Sequence, residues 1–85
     1  MKLATSLTEQ HVRDLFSAGL RKRMTAREMT LPELVRLVAE QLGSTVRATD
    51  RAVRRWLAAE VAPRPRALAA LCVVLGCTPA DLYSG

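Results

Sequence analysis

The chain has little of several things, and each shortage narrows what it can be. Its 85 residues include two cysteines, one histidine and one each of Trp, Tyr and Phe. Cys72 and Cys77 stand close in sequence with His11 far away, so no four-ligand zinc set can be assembled from them. They read as two small buried side chains in a reducing compartment, and neither a metal nor a cofactor is expected. No apolar run approaches the ~18 residues that a membrane span needs. The opening Met1-Lys2-Leu3-Ala4 imitates a signal peptide, but Glu9, His11 and Arg13 break the apolar stretch too early. The expectation is a cytoplasmic protein with no membrane partner. Also lacking are a nucleophile–base pair, paired carboxylates and a glycine-rich phosphate loop, so neither an enzyme nor a small-molecule substrate is expected.

What is present is aliphatic and basic. An apolar fraction of 49 % with 4 % aromatics implies a core of Leu, Val and Ala. A chain this short buries only about 60 % of the surface it exposes unfolded, so one compact domain with short loops spans residues 1–85. Thirteen Lys and Arg against eight Asp and Glu give a net charge of +5. That balance suits nucleic acid or an anionic surface as partner. Eleven of the thirteen are Arg, whose planar fork matches phosphate and guanine edges.

The pattern is helical nearly throughout. Ser6-Leu7-Thr8-Glu9 has capping-box spacing, and Val12, Leu15, Phe16, Gly19 and Leu20 then recur at helical intervals. A first helix is expected from about Leu7 to Arg23, with Met24 to Met29 either continuing it or turning. Thr30-Leu31-Pro32-Glu33 starts a second: Thr30 can cap free amides, Pro32 is tolerated in the first turn and Glu33 suits the positive end. Leu31, Leu34, Val35, Val38, Ala39 and Leu42 form its stripe, and Gly43 ends it.

Ser44 to Ala48 reads as a polar connector. Thr49 or Asp50 then caps a third helix, about 49–58, with Val53, Trp56 and Leu57 inward and Arg51, Arg54 and Arg55 outward. Ala62-Pro63-Arg64-Pro65-Arg66 excludes a helix interior. A fourth helix follows from about Arg66 to Leu75, with Leu68, Leu71, Cys72 and Leu75 as its buried stripe. A short fifth begins at Thr78-Pro79-Ala80-Asp81 and carries Leu82 and Tyr83. The fold class is therefore all-α, a compact five-helix domain.

Two segments carry the functional signal: Val38-Ala39-Glu40-Gln41-Leu42-Gly43, and the arginine-faced helix after it. With the basic link Pro63-Arg64-Pro65-Arg66 and the ending Val74-Leu75-Gly76-Cys77-Thr78-Pro79-Ala80-Asp81-Leu82, the chain resembles the Cro and lambda-repressor-like helix-turn-helix family of XRE-type regulators. The likeness covers roughly Thr30 to Tyr83, with the motif at about 30–58. It implies a lambda-repressor-like fold and a regulator, usually a repressor, that binds double-stranded DNA as a homodimer on a near-palindromic operator. By that resemblance Thr49 falls at the cap and phosphate position. Asp50, Arg51 and Arg55 fall where members read base edges, and Arg66 where a basic residue meets phosphate or the minor groove.

The chain departs from the family pattern in two places. The residue matching Trp56 normally follows the glycine by about nine positions, whereas Gly43 and Trp56 stand thirteen apart. Either the preceding helix runs past Gly43 or the turn is an extended loop. The glycine after the recognition helix is also absent, with Ala58-Ala59-Glu60 in its place, so that helix is expected to be able to run on.

Arg51 and Arg55 are expected to read bases, while Arg54 reads a base or meets a phosphate. Asp50 either caps the helix or accepts from a cytosine amino group. Arg47, Arg64 and Arg66 bind phosphate or are solvated. Arg21, Lys22, Arg23 and Arg27 form a second basic cluster, either a solvated face or a flank on the DNA backbone. Trp56 belongs to the core by its spacing with Val53. The dimer surface is sought at Leu3 and Leu7 or at Leu82 and Tyr83. The alternatives to a specific regulator are an interaction module, such as an antitoxin or assembly adaptor, and an architectural protein binding DNA through phosphates alone.

Overall fold

The structure, a computed structural model, describes residues 8–84, and among these it contains five helices and no strand. They are α1 (Glu9–Ala26), α2 (Leu31–Leu42), α3 (Val46–Leu57), α4 (Pro65–Leu75) and α5 (Pro79–Tyr83). The all-α, five-helix expectation holds. Most of the starts are set by local chemistry. Thr30 and Glu33 make a reciprocal capping box at α2, and Thr78 and Asp81 repeat it at α5. Gly43 and Gly76 leave α2 and α4 with φ of 64°, in the left-handed region where glycine is at ease.

The first helix starts later than the sequence expectation, and its far end shows what Met24 to Met29 do. Its N-cap is Thr8, whose hydroxyl accepts from the His11 amide at 3.0 Å; Ser6 and Leu7 lie outside the described residues. Its far end continues through Met24 to Ala26 and then turns at Glu28, which takes a positive φ of 50°.

Phe16 and Leu20 of α1 meet Leu34, Val35 and Val38 of α2, Val53 and Trp56 of α3, Leu71 and Leu75 of α4 and Leu82 of α5 in one core. Trp56 is thus core, as its spacing predicts. In α4 the buried positions are Ala70, Leu71 and Leu75, with Leu68 and Cys72 only half-buried at the edge. Helix α5 packs on α1, α3 lies against α1 and α2, and α4 covers the other flank of α2. Gly19 lies in the interior of α1, where glycine weakens a helix. It is required there, because a Cβ would collide with the Leu82 carbonyl.

Helix α5 also settles part of the dimer-surface question. Leu82 is fully buried and Tyr83 is half-buried, its ring 5.2 Å from that of Phe16. Leu82 serves the domain's own core and is removed as a dimer candidate, while Tyr83 packs at the core's edge and stays partly open; Leu3 and Leu7 fall outside the described residues. The thiols of Cys72 and Cys77 are free and half-buried. Burial, and then the neighbouring Cys77, push the Cys72 thiol up.

Candidate nucleic-acid interface

The turn between α2 and α3 is short. The Gly43 and Ser44 amides donate back to Glu40 and Ala39, closing α2, and Thr45 already caps α3 by accepting from the Ala48 amide at 3.1 Å. The four residues by which Trp56 stands too far from Gly43 therefore form neither a longer α2 nor an extended loop. They are one extra turn at the front of α3, which starts at Val46 rather than Thr49. At 1.5 Å per residue the addition lengthens α3 by about 6 Å.

This register corrects three expectations. Thr49 is not the cap: it is only 4 % exposed, and its hydroxyl donates to the Thr45 carbonyl at 2.8 Å, within the helix. Asp50 is not a cap either; it sits in the second turn and accepts from Arg54 Nε at 2.9 Å. Arg47 is not in a connector but is the second residue of α3, exposed on the side of Arg51. The inward set is Thr49, Val53 and Trp56, with Leu57 half-buried at its edge. Because those side chains are fixed in the core, Arg47, Arg51, Arg54 and Arg55 must point to solvent.

These four arginines are not equivalent. Arg54 is tied to Asp50, and Arg55 reaches Glu60 at 3.4 Å. Exposed pairs of this kind are worth at most ~1 kcal/mol, so they orient the guanidinium groups without holding them. Arg47 and Arg51 have no acidic partner among the described residues. A groove of about 460 Å³ runs beside α3, between Ala48, Ala52 and Arg55 on one wall and Val61, Ala62 and Arg64 on the other. Arg64 is the N-cap residue of α4 but offers no side-chain bond to its amides. Arg66 instead donates to the Leu42 carbonyl at 3.1 Å, tying the start of α4 to the end of α2.

Helix α3 is anchored at its C-terminus by α1. Ser17 Oγ and an Arg21 guanidinium N–H both donate to the Leu57 carbonyl, at 2.7 and 2.8 Å, while Gln10 donates to Ala59 O at 3.1 Å. Helix ends leave carbonyls unpaired, and a cation there also meets the negative end of the helix dipole. The glycine missing after α3 is replaced in conformation by Ala59, which takes φ of 59°. The helix therefore ends at Leu57 rather than running on.

Three members of the second basic cluster also reach other helices. Arg21 holds α3, Arg23 pairs with Asp81 of α5 at 3.4 Å, and the Arg27 guanidinium lies against Gly76 at the end of α4. None of these roles was signalled in the sequence, where the cluster shows only as adjacent charge.

A short, glycine-terminated first helix, a tight turn and an outward-facing basic second helix are the parts of a helix-turn-helix. The family model described as Cro/C1-type HTH DNA-binding domain matches residues 19–84. The chain belongs to that family. This Cro/C1-type domain is a DNA-binding one, and the match takes in everything from the middle of α1 to the end of α5. Comparison with curated proteins and with solved structures found no match in either. Among the described residues of the domain no helix is long and apolar enough to cross a membrane.

Proposed function

We propose that the protein is a sequence-specific transcriptional regulator, a repressor that binds a near-palindromic operator in double-stranded DNA as a homodimer in the cytoplasm. The observation that carries this reading is the outward row of Arg47, Arg51, Arg54 and Arg55, projected by the buried Thr49, Val53 and Trp56 of one helix. Arg51 and Arg55 are the base readers, with guanine O6 and N7 as the acceptors that their forks fit. Asp50 shares that role as an acceptor for a cytosine amino group once Arg54 turns to a phosphate. Arg64, at the rim of the groove beside α3, is the clearest phosphate contact, and Arg47 and Arg66 flank the same strand. Thr49 is left out because its hydroxyl is buried and already bonded.

A single recognition helix covers only a few base pairs, so specificity calls for two half-sites about one helical turn apart. Selection of bound duplexes from a random pool, followed by measurement of stoichiometry on the selected site, tests the whole reading. A palindromic site with two chains bound is the expected result. Binding that random duplex competes away would point to an architectural protein, and binding to no duplex would point to an interaction module. On the selected site Arg64→Ala should lower the slope of log affinity against log salt by about one unit while sparing sequence preference. An unchanged slope removes Arg64 from the phosphate contacts.

A further inference from the structure

Helices α2 and α4 end in the same turn. Gly43 and Gly76 are both left-handed, and the amide after each glycine donates back five residues. Ser44 donates to the Ala39 carbonyl at 3.0 Å, and Cys77 to the Cys72 carbonyl at 3.1 Å. Such a turn brings the side chains at its two ends together. At the end of α2 those are Ala39 and Ser44, which have no bond to form with each other. At the end of α4 they are the chain's two cysteines, both free thiols. A disulfide needs Cα atoms about 4.4–6.8 Å apart, and the backbone hydrogen bond between the two residues keeps the chain close enough for one without rearrangement. The thiols are neighbours as well, Cys77 acting on Cys72 through a side-chain hydrogen bond. Both pack at the edge of the core and both are half-buried, which leaves each open to a small oxidant.

We propose that Cys72 and Cys77 are a reversible oxidation site, at which a peroxide converts the thiol pair into an intramolecular disulfide that clamps the turn between α4 and α5. The Cys77 sulfur, which lies outside the helix, attacks first as its thiolate. An S–O bond forms as the O–O bond of the peroxide breaks, and the departing oxygen takes up a proton and leaves as water. The Cys72 sulfur then attacks the Cys77 sulfur; its proton goes to the sulfenic oxygen, a second water leaves, and the S–S bond closes. Two electrons pass from the thiols to the peroxide, so one hydrogen peroxide becomes two waters. The order follows from burial, which favours the neutral thiol at Cys72 and makes it the second nucleophile. In a reducing compartment such bridges are transient, so the dithiol is the resting form and a dithiol reductant reopens the clamp by exchange. Cys77 leads directly into Thr78, the cap of α5, so the bridge ties the end of one helix to the start of the next.

The test takes the full chain, fully reduced, and adds an equimolar amount of hydrogen peroxide before the remaining thiols are alkylated. Cleavage after Arg66 releases both cysteines in one peptide. That peptide is expected to be unalkylated and lighter by two hydrogens, from a chain that stays monomeric on a non-reducing gel, and dithiothreitol should restore two alkylatable thiols. The oxidised domain should melt about 5 °C or more above the reduced one, because the closed ring restricts the unfolded chain. Cys72→Ser should stop at a sulfenic acid that dimedone captures, and Cys77→Ser should react with peroxide at least about five-fold more slowly. Three results on the wild-type chain would overturn the inference: both thiols still alkylatable after peroxide, a disulfide formed only between chains, or an oxidised domain that melts no higher than the reduced one. Equal peroxide rates in the two serine variants would overturn the order of attack.

Discussion

Two stretches of this small domain look alike in sequence and differ in use. Arg21, Lys22, Arg23 and Arg27 lie in or just after α1, and Arg47, Arg51, Arg54 and Arg55 lie in α3. In the first stretch the arginines reach other helices: Arg21 the last carbonyl of α3, Arg23 the first turn of α5, Arg27 the end of α4. In the second, among the described residues, they reach only residues of their own neighbourhood, Asp50 and Glu60, or no acidic residue at all. Charge density does not separate the two. The separation is geometric: α1 crosses the ends of its neighbours, where Arg21 meets a helix-end carbonyl and Arg23 a carboxylate, whereas the arginines of α3 reach no other helix among the described residues.

The largest test of that contrast is the anchor beneath the second set. Trp56→Ala should destabilise the domain by about 3–5 kcal/mol, measured by denaturant melting, and DNA binding should fall with the folded fraction. A mild loss would mean that α3 faces another way and that its arginines are not forced outward. Next in size, Arg51→Ala should cost about 1–3 kcal/mol of discrimination at one operator position, whereas Lys22→Ala should leave sequence preference unchanged. Equal effects in a binding titration would erase the distinction between the clusters. Smaller again, Arg21→Ala should lower stability by about 1 kcal/mol, the worth of one exposed charge-assisted bond to a helix end. Its salt slope for DNA should stay that of the wild type; a slope reduced by one would show that Arg21 meets phosphate after all.

The same contrast explains which parts were legible in advance. Helix α2 announces itself within a few residues, because Thr30, Pro32, Glu33 and Gly43 are signals that act locally. The start of α3 lies one turn ahead of where the local signals point. Thr45 and Thr49 are both credible caps, the Asp50 after Thr49 strengthens the wrong one, and Ala48 gives Thr45 no capping-box partner. What decided between them is that Thr49 is buried against the core. The α1 anchors were beyond any local pattern, since they join Ser17 and Arg21 to Leu57, and Gln10 to Ala59, across most of the motif. The inward and outward faces of α3, by contrast, follow from the spacing of Val53 and Trp56 whichever threonine begins the helix.

The smallest expected effect lies in the first cluster and concerns what Arg23 contributes. The Asp81 carboxyl is held below its ordinary value of 3.8, first by the Thr78 amide and hydroxyl and only last by the Arg23 charge. A carboxylate whose folded pKa is depressed adds stability that is complete above its unfolded value and is lost as the pH falls through the lower, folded one. Thermal melts taken from pH 6 down to about pH 2 should therefore show stability falling at the acid end, with Glu33 in its matching box at Thr30 adding to the decline. Asp81→Asn should be less stable than the wild type at pH 6 and should lose less on acidification. Arg23→Ala should keep most of the wild-type acid sensitivity, because the Thr78 bonds that dominate the shift remain. If Arg23→Ala instead flattened the profile as fully as Asp81→Asn, the ion pair would outrank the cap. The α1 arginines would then act as paired charges rather than as side chains placed to meet helix ends.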